Sequence, residues 1–274
     1  MERLLEKIIQ CKENGLYFVN TPTGSAKSYS AVQLMKNHYK DFDSHFIFIT
    51  NNLNNLPMED LEKAFGNDFK NQVIWVESIV DNIVHHFDES IIPDEYKKLT
   101  SYRELYNCLN NYKYLASNIQ HDLDKGKTPI VGVLKFFDHS KEELANKDSS
   151  FRKDIHKHLM QSGLAELNFE ERKAIMKSKY KWLSTLYPVM FIEDYKVICM
   201  SVKRFFTYID PIYKKKYRFS ESEIIDNSVL FIDEVDSTKN EINNIILESS
   251  LRSTIDLIPM IHRIADQFIY WDLN

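Results

Sequence analysis

The feature that most constrains the fold is a series of short apolar segments separated by stretches with helical periodicity. The predicted strands lie at residues 16–19, 46–49, 73–76, 196–200 and 228–232. A nearly continuous apolar run of this length is typical of a strand that is buried on both faces of a sheet. Because strands that alternate with helices form parallel sheets with crossover connections, we predict an α/β fold with a mainly parallel sheet.

The helical periodicity divides the chain into two kinds of sequence. Helices are predicted at residues 2–13, from Lys27 onward, and at 58–65, 78–87 and 238–268. Residues 88–195 are more polar, rich in Lys, Glu, Asn and Tyr, and have helical patterns at 95–119 and 170–186. We therefore predict one α/β domain, formed by residues 1–87 and 196–274, that is interrupted by a helical insertion at 88–195.

Composition excludes several classes of protein. Lys and Arg total 35 against 40 Asp and Glu, a net charge of −5, which excludes a globally basic nucleic-acid coat protein but not a local basic groove. Cys11, Cys108 and Cys199 are far apart and form no CxxC pair, which argues against a disulfide scaffold, a structural zinc site or an iron–sulfur cluster. No apolar run approaches the length of a membrane span, so we expect a cytoplasmic protein with no membrane partner.

A candidate phosphate-binding loop joins the first predicted strand to the helix that begins near Lys27. A helix that starts here would offer its unpaired N–H groups and partial positive charge to an anion. Residues 21–28 match the nucleotide-binding pattern G-x-x-x-x-G-K-[ST] except at its two glycines. In that pattern Lys27 would bind the β- and γ-phosphates of the nucleotide, and the Ser28 hydroxyl would bind Mg²⁺. The candidate nucleotide-binding residues are Thr21, Pro22, Thr23, Gly24, Ser25, Ala26, Lys27 and Ser28, with Thr21 and Ala26 at the glycine positions.

Two carboxylates directly follow the last predicted strand. Asp233 and Glu234 come after residues 228–232, at the edge where ligands bind in open α/β sheets. Asp233 is placed to hold Mg²⁺, and Glu234 is placed to orient and deprotonate an attacking water. The alternative is that the two acids form only the polar start of a loop.

Together these two segments resemble a known family. Pro22-Thr23-Gly24-Ser25-x-Lys27-Ser28, with Asp233-Glu234-Val235-Asp236, is similar to motifs I and II of the superfamily 2 helicases of the DEAD/DEAH-box-like type. The resemblance implies a RecA-like P-loop NTPase domain that binds ATP with Mg²⁺ and couples hydrolysis to movement along nucleic acid. It extends loosely to motif Ia at residues 47–52, where Thr50, Asn51 and Asn52 would face the nucleic-acid backbone.

The family pattern is incomplete in this chain. Ala26 stands where the family has glycine, and a positive φ at that position would cost about 1 kcal/mol or more. The sequence after Glu234 is too short for the second RecA-like domain that the resemblance implies, so we expect a fragment of a helicase or a subunit that needs a partner. Two alternatives stay open: a nucleotide-binding switch or assembly module that barely hydrolyses ATP, and a non-binding remnant that serves as an interaction surface.

One local segment has the character of a nucleic-acid surface. Its basic residues are interleaved with Tyr and Phe, so phosphate neutralisation and base stacking are both available. The candidates are Lys203, Arg204, Lys214, Lys215, Lys216 and Arg218. We expect a single- or double-stranded nucleic acid, with DNA favoured over RNA. The alternative is a solvated loop whose aromatic side chains anchor it to the core.

Overall fold

A computed structural model of the chain describes residues 2–10, 15, 17, 19, 26–41, 43, 45–51, 55–226, 228–233 and 235–251. The helices are α1 (Glu2–Gln10), α2 (Lys27–His38), α3 (Met58–Phe65), α4 (Phe69–Gln72), α5 (Ile79–His86), α6 (Asp94–Lys97), α7 (Thr100–Asp124), α8 (Val131–Gln161), α9 (Phe169–Lys179), α10 (Lys181–Leu186), α11 (Val202–Phe206) and α12 (Val235–Leu251). The strands are β1 (Phe46–Thr50), β2 (Val73–Val76), β3 (Val197–Ser201), β4 (Tyr208–Ile209), β5 (Tyr217–Arg218) and β6 (Val229–Ile232).

Four of these strands form a parallel sheet in the order β2–β3–β1–β6. Each chain segment between consecutive strands of this sheet contains at least one helix, as a parallel crossover requires. The short strands β4 and β5 pair with each other as a separate antiparallel hairpin. The prediction of an α/β fold with a mainly parallel sheet is confirmed.

Side chains alternate between the two faces of the sheet, and each face has its own apolar cluster. One face carries Phe46, Phe48 and Cys199, and it packs against α2 and α3. The other carries Ile47, Ile49, Ile74, Ile198 and Met200, and it packs against the segments that follow β3. Because both faces are covered, the central strands β1 and β3 read as continuous apolar runs.

A third apolar cluster fills the helical region between β2 and β3. The long helices α7 and α8 pack along each other, and their buried residues join side chains from α5, α9 and α10. Side-chain caps determine where two of these helices begin. The α5 N-cap Ser78 accepts a hydrogen bond from the Asp81 amide at 3.1 Å, and Asn168 and Glu171 form a capping box at the start of α9.

The helices and strands depart from the predicted bounds mainly at their ends. The predicted helical pattern at 170–186 is divided into α9 and α10 at Tyr180. Of the predicted strand at 16–19, Leu16 and Phe18 lie outside the described residues, while Tyr17 and Val19 are not in a strand. The predicted helices at 2–13 and 238–268 are described only to residues 10 and 251.

Among the residues that the structure describes, none of the helices combines the length and the apolar character needed to cross a lipid bilayer.

Candidate functional site at the carboxyl edge of the sheet

Helix α2 directs its first turn toward the carboxyl edge of the sheet. It packs on one face of the sheet through Ala31, Val32 and Met35. A short connection after the helix leads into Phe46, the first residue of β1. The helix must therefore run antiparallel to β1, which places its N-terminal end with Lys27 and Ser28 at the opposite, carboxyl edge.

The residue that precedes α2 has a left-handed backbone. Ala26 has φ 55° and ψ 37°, and its carbonyl accepts the Ser30 amide at 2.9 Å to begin the helix. Among the described non-glycine residues, only Ala26 and Ile212 have positive φ. The sequence expectation was conditional on a positive φ at this glycine position, and the structure has that conformation. An L-residue with a β-carbon adopts it at a cost of roughly 1–2 kcal/mol.

Polar residues lie side by side where the strands end. Thr50, the last residue of β1, pairs in register with Ser201 of β3 and is completely buried. Asp233 directly follows β6, and its amide donates to the Ile49 carbonyl at 3.0 Å. The Asp233 carbonyl in turn accepts from the Thr238 hydroxyl at 3.0 Å, which ties this corner to the first turns of α12.

The structure thus places some of the predicted nucleotide-site residues at one edge. Lys27 and Ser28 begin α2 and Asp233 follows β6 at this edge, with Thr50 on the neighbouring strand and the half-buried Asn51 directly after it. Thr21, Pro22, Thr23, Gly24 and Ser25 lie outside the described residues, as do Asn52 and Glu234. The described part provides a helix N-terminus, an ammonium group, hydroxyls and a carboxylate, which is the chemistry that a phosphate with a hard divalent cation needs.

The predicted basic segment is divided between a surface hairpin and the interior. Tyr208 is 52% exposed, and both Lys216 and Arg218 lie over its ring, at 5.5 and 5.3 Å from the centroid. Lys203 and Lys215 are also exposed. These residues offer cations beside an exposed aromatic face, which suits a nucleic-acid strand.

Other members of the basic segment are already engaged within the protein. The Lys214 ammonium lies 3.4 Å from a Glu193 carboxylate oxygen and also over the ring of Phe169. Arg218 pairs with Glu221 at 3.0 Å, which reduces the charge that it presents. Arg204 is half-buried with a fully buried Nε, so it does not belong to the exposed surface.

A buried ion pair in the helical region was not anticipated from the sequence. Asp148 is completely buried in α8, where it accepts hydrogen bonds from Arg152 at 2.5 Å and from the Tyr187 hydroxyl at 2.8 Å. Burial raises the pKa of Asp148, and the charge of Arg152 and the Tyr187 hydrogen bond act in the opposite direction. An Asp–Arg pair four residues apart in a polar sequence normally indicates an exposed helix face, so no sequence signal reveals this burial.

Glu77 was also missed, although it follows β2 as Asp233 follows β6. One Glu77 oxygen accepts from His85 Nδ1 at 2.7 Å, and the other lies 3.2 Å from His86 Nε2. Burial alone would raise the pKa of Glu77, but the two histidines hold it below its usual range. The signal was available, since a polar residue directly after a buried strand marks the carboxyl edge.

A shallow polar depression of about 230 Å³ lies at the opposite edge, where the strands begin. Tyr39 and Asp68 line it and share a hydrogen bond of 2.6 Å, and Gln72 and Lys196 directly precede β2 and β3. It is separated from Lys27 and Asp233 by the length of the strands, so we do not assign it to the candidate site.

Comparison with known proteins adds no identification: no protein-family model matches this chain, and no curated protein matches its sequence.

Proposed function

We propose that this chain is a RecA-like P-loop domain that binds Mg²⁺-ATP and hydrolyses it, as the motor half of a superfamily 2 DNA or RNA helicase that acts in the cytoplasm. The observation that carries the proposal is that Lys27 and Ser28, at the start of α2, and Asp233, directly after β6, lie at the same edge of the sheet. Strand β6 belongs to the parallel sheet and α2 packs on one face of it, and both reach the carboxyl edge, where nucleotides bind in open α/β sheets.

Each residue of this edge has a separate role in the proposal. Lys27 binds the β- and γ-phosphates while the α2 N-terminus stabilises their negative charge. Ser28 and Asp233 fit Mg²⁺, since hydroxyl and carboxylate oxygens are its preferred protein ligands. When bound, Mg²⁺ neutralises charge on the phosphates. Glu234, the residue after Asp233 in the chain, orients the attacking water and accepts its proton.

The exposed hairpin gives the proposed motor a surface for a nucleic-acid strand. Tyr208 provides a stacking face, and Lys215 and Lys216 provide exposed charge beside it. DNA is the favoured strand in this proposal. A second RecA-like domain, supplied by a partner or by a longer chain, would complete the cleft in which ATP is hydrolysed.

Replacement of Lys27 by alanine tests nucleotide binding directly. We expect the Lys27→Ala variant to bind Mg²⁺-ATP about 10- to 100-fold more weakly, because a charged hydrogen-bond donor to phosphate contributes roughly 1.5–3 kcal/mol. The measurement is isothermal titration of the full chain with Mg²⁺-ATP, supported by the rise in melting temperature that any ligand of the native state produces.

The matched control is Lys63→Ala, which removes an equally flexible ammonium that is 74% exposed and lies on α3. It should leave the affinity for Mg²⁺-ATP unchanged. Equal affinities of the wild type and the Lys27→Ala variant would contradict the proposed site.

A nucleotide-binding switch is the second candidate function, and the backbone of Ala26 favours it. A methyl group stands where the loop would approach the phosphates, in a left-handed conformation that strains an L-residue. Such a module would bind Mg²⁺-ATP with no measurable turnover, independently of nucleic acid. A remnant without nucleotide binding would show no rise in melting temperature with Mg²⁺-ATP.

Because Ala26 is strained, its replacement by glycine should stabilise the protein, whereas the same change within a helix normally destabilises it. The Ala26→Gly variant should be more stable than the wild type by up to about 1 kcal/mol, because glycine adopts positive φ without a β-carbon clash. The measurement is the free energy of unfolding in urea. The matched control is Ala174→Gly on the exposed side of α9, which should lower that free energy by about 1 kcal/mol. A loss of stability of the same size in both variants would show that Ala26 is not strained.

A further inference from the structure

A narrow polar pocket lies where the helical region meets the β2 and β3 half of the sheet. It lies at the carboxyl edge, since Glu77 and Ser78 follow β2 and Arg204 lies on α11, directly after β3. On the side of the helical region, the wall of the pocket is formed by α8 and by the segment before β3. The pocket is lined by Trp75, Glu77, Ser78, Ile79, Asn82, Asp148, Arg152, Tyr187, Pro188, Val189 and Arg204.

Three N–H donors in this pocket have no acceptor. Trp75 Nε1, Arg152 Nε and Arg204 Nε are each fully buried and make no hydrogen bond within the described part of the protein. They come from β2, α8 and α11, so three separate elements bring unsatisfied donors to one place. A buried donor without an acceptor costs about 1–3 kcal/mol, and proteins rarely leave several together.

The carboxylates that line the pocket are already engaged. Asp148 accepts from Arg152 and from the Tyr187 hydroxyl. Glu77 is held by two histidines of α5, although its Oε2, which lies 3.2 Å from His86 Nε2, is also a buried atom without a hydrogen bond among the described residues. Asp210, outside the lining, influences the pKa of both Asp148 and Arg152 but not that of Arg204.

Arg204 is therefore a cation without a counter-ion among the described residues. Its guanidinium makes one long hydrogen bond, 3.4 Å, to the Thr207 hydroxyl. Burial, together with the positive charge of Arg152, lowers the pKa of Arg204 to about 10. Proteins normally pair a charge in such a position, because desolvation without compensation is costly.

We propose that this pocket is an oxyanion site that takes a phosphate group, with Arg204, Arg152 and Trp75 as its donors. The enclosed space is about 20 Å³, enough for one phosphate oxygen rather than a whole nucleotide. The negative charge of the phosphate offsets the positive charge of Arg204, which is paired with neither Asp148 nor Glu77. This site is separate from the proposed nucleotide site at Lys27, and it does not depend on ATP binding there.

The probe is inorganic phosphate, and the experiment uses the full chain with Lys27→Ala so that the proposed nucleotide site does not contribute. Phosphate should raise the melting temperature by at least about 3 °C over sodium chloride of equal ionic strength. Arg204→Met should weaken phosphate binding about tenfold or more, as loss of a charged donor predicts. Trp75→Phe, which keeps the aromatic packing, should weaken it less.

Arg204→Met has a second expected result that a structural arginine would not give. In phosphate-free buffer the variant should melt at the same or a higher temperature than its parent, because a buried unpaired charge is replaced by an apolar side chain. The matched control is Arg103→Met at an exposed position of α7, which should leave the phosphate effect intact. Equal effects of phosphate and chloride, phosphate binding that survives Arg204→Met, or a lower melting temperature of that variant without phosphate would each overturn the proposal.

Discussion

Replacing Asp148 by alanine is expected to lower the free energy of unfolding by about 3–5 kcal/mol, because the change leaves a buried guanidinium without its counter-ion. Asp148 is completely buried, and the Arg152 side chain is only 11% exposed. Both Asp148 oxygens are used: one accepts from Arg152, and the other accepts from the Tyr187 hydroxyl. Asp148→Ala therefore leaves two buried donors unsatisfied and opens a space in the core beside α8.

Urea denaturation, followed by circular dichroism, measures this change. The matched control is Asp138→Ala, which removes an aspartate of the same helix that is 74% exposed and pairs with Lys141 at 3.4 Å. An exposed pair contributes about 0–1 kcal/mol, so the control should differ little from the wild type. Asp148→Asn keeps the shape and one acceptor, and it should fall between the two. A loss below about 1 kcal/mol for Asp148→Ala would show that this pair does not stabilise the fold.

The sheet was the most predictable part of the molecule, for a physical reason. The central strands β1 and β3 are buried on both faces, so nearly every residue in them must be apolar, and the sequence displays this without alternation. Helices on both faces then follow from the need to cover the sheet. The order β2–β3–β1–β6 is not visible in the sequence, because β3 lies between two strands that precede the helical region in the chain.

Polar residues of the interior could not be predicted. Asp148 and Arg152 have the spacing of an exposed helix pair, and only the packing of α8 against Tyr187 places them inside. Arg204 was grouped with a basic surface segment by its neighbours in the sequence, whereas the fold turns it into the pocket beside Trp75. In both cases the position of a charge depends on contacts between segments that are distant along the chain.

Ala26 shows how a local departure from a motif becomes informative. The sequence alone indicated that an alanine at this position would be strained if the loop needed positive φ. The backbone has φ 55° there. The strain is therefore part of the fold, and it bears on stability as well as on binding at this loop.

The second large effect concerns hydrolysis and depends on the proposed function. Glu234→Gln should lower ATP turnover by about 10²–10⁴-fold, because the amide cannot accept the proton of the attacking water. Its affinity for Mg²⁺-ATP should stay near that of the wild type. Asp233, the preceding residue, has its amide bonded to the Ile49 carbonyl and its carbonyl bonded to Thr238, so the backbone at this corner is held by contacts that the substitution does not remove.

Turnover should be measured with and without single-stranded DNA or RNA, since a translocase hydrolyses ATP faster on its strand. The matched control is Glu62→Gln at an exposed position of α3, which should keep the wild-type rate. Stimulation by a strand that is lost only in Glu234→Gln would support the motor, whereas turnover in that variant within about twofold of the wild type would exclude Glu234 as the base. If Mg²⁺-ATP raises the melting temperature but no condition gives turnover, the switch is the correct function, and the strained Ala26 loop is the first place to seek the cause.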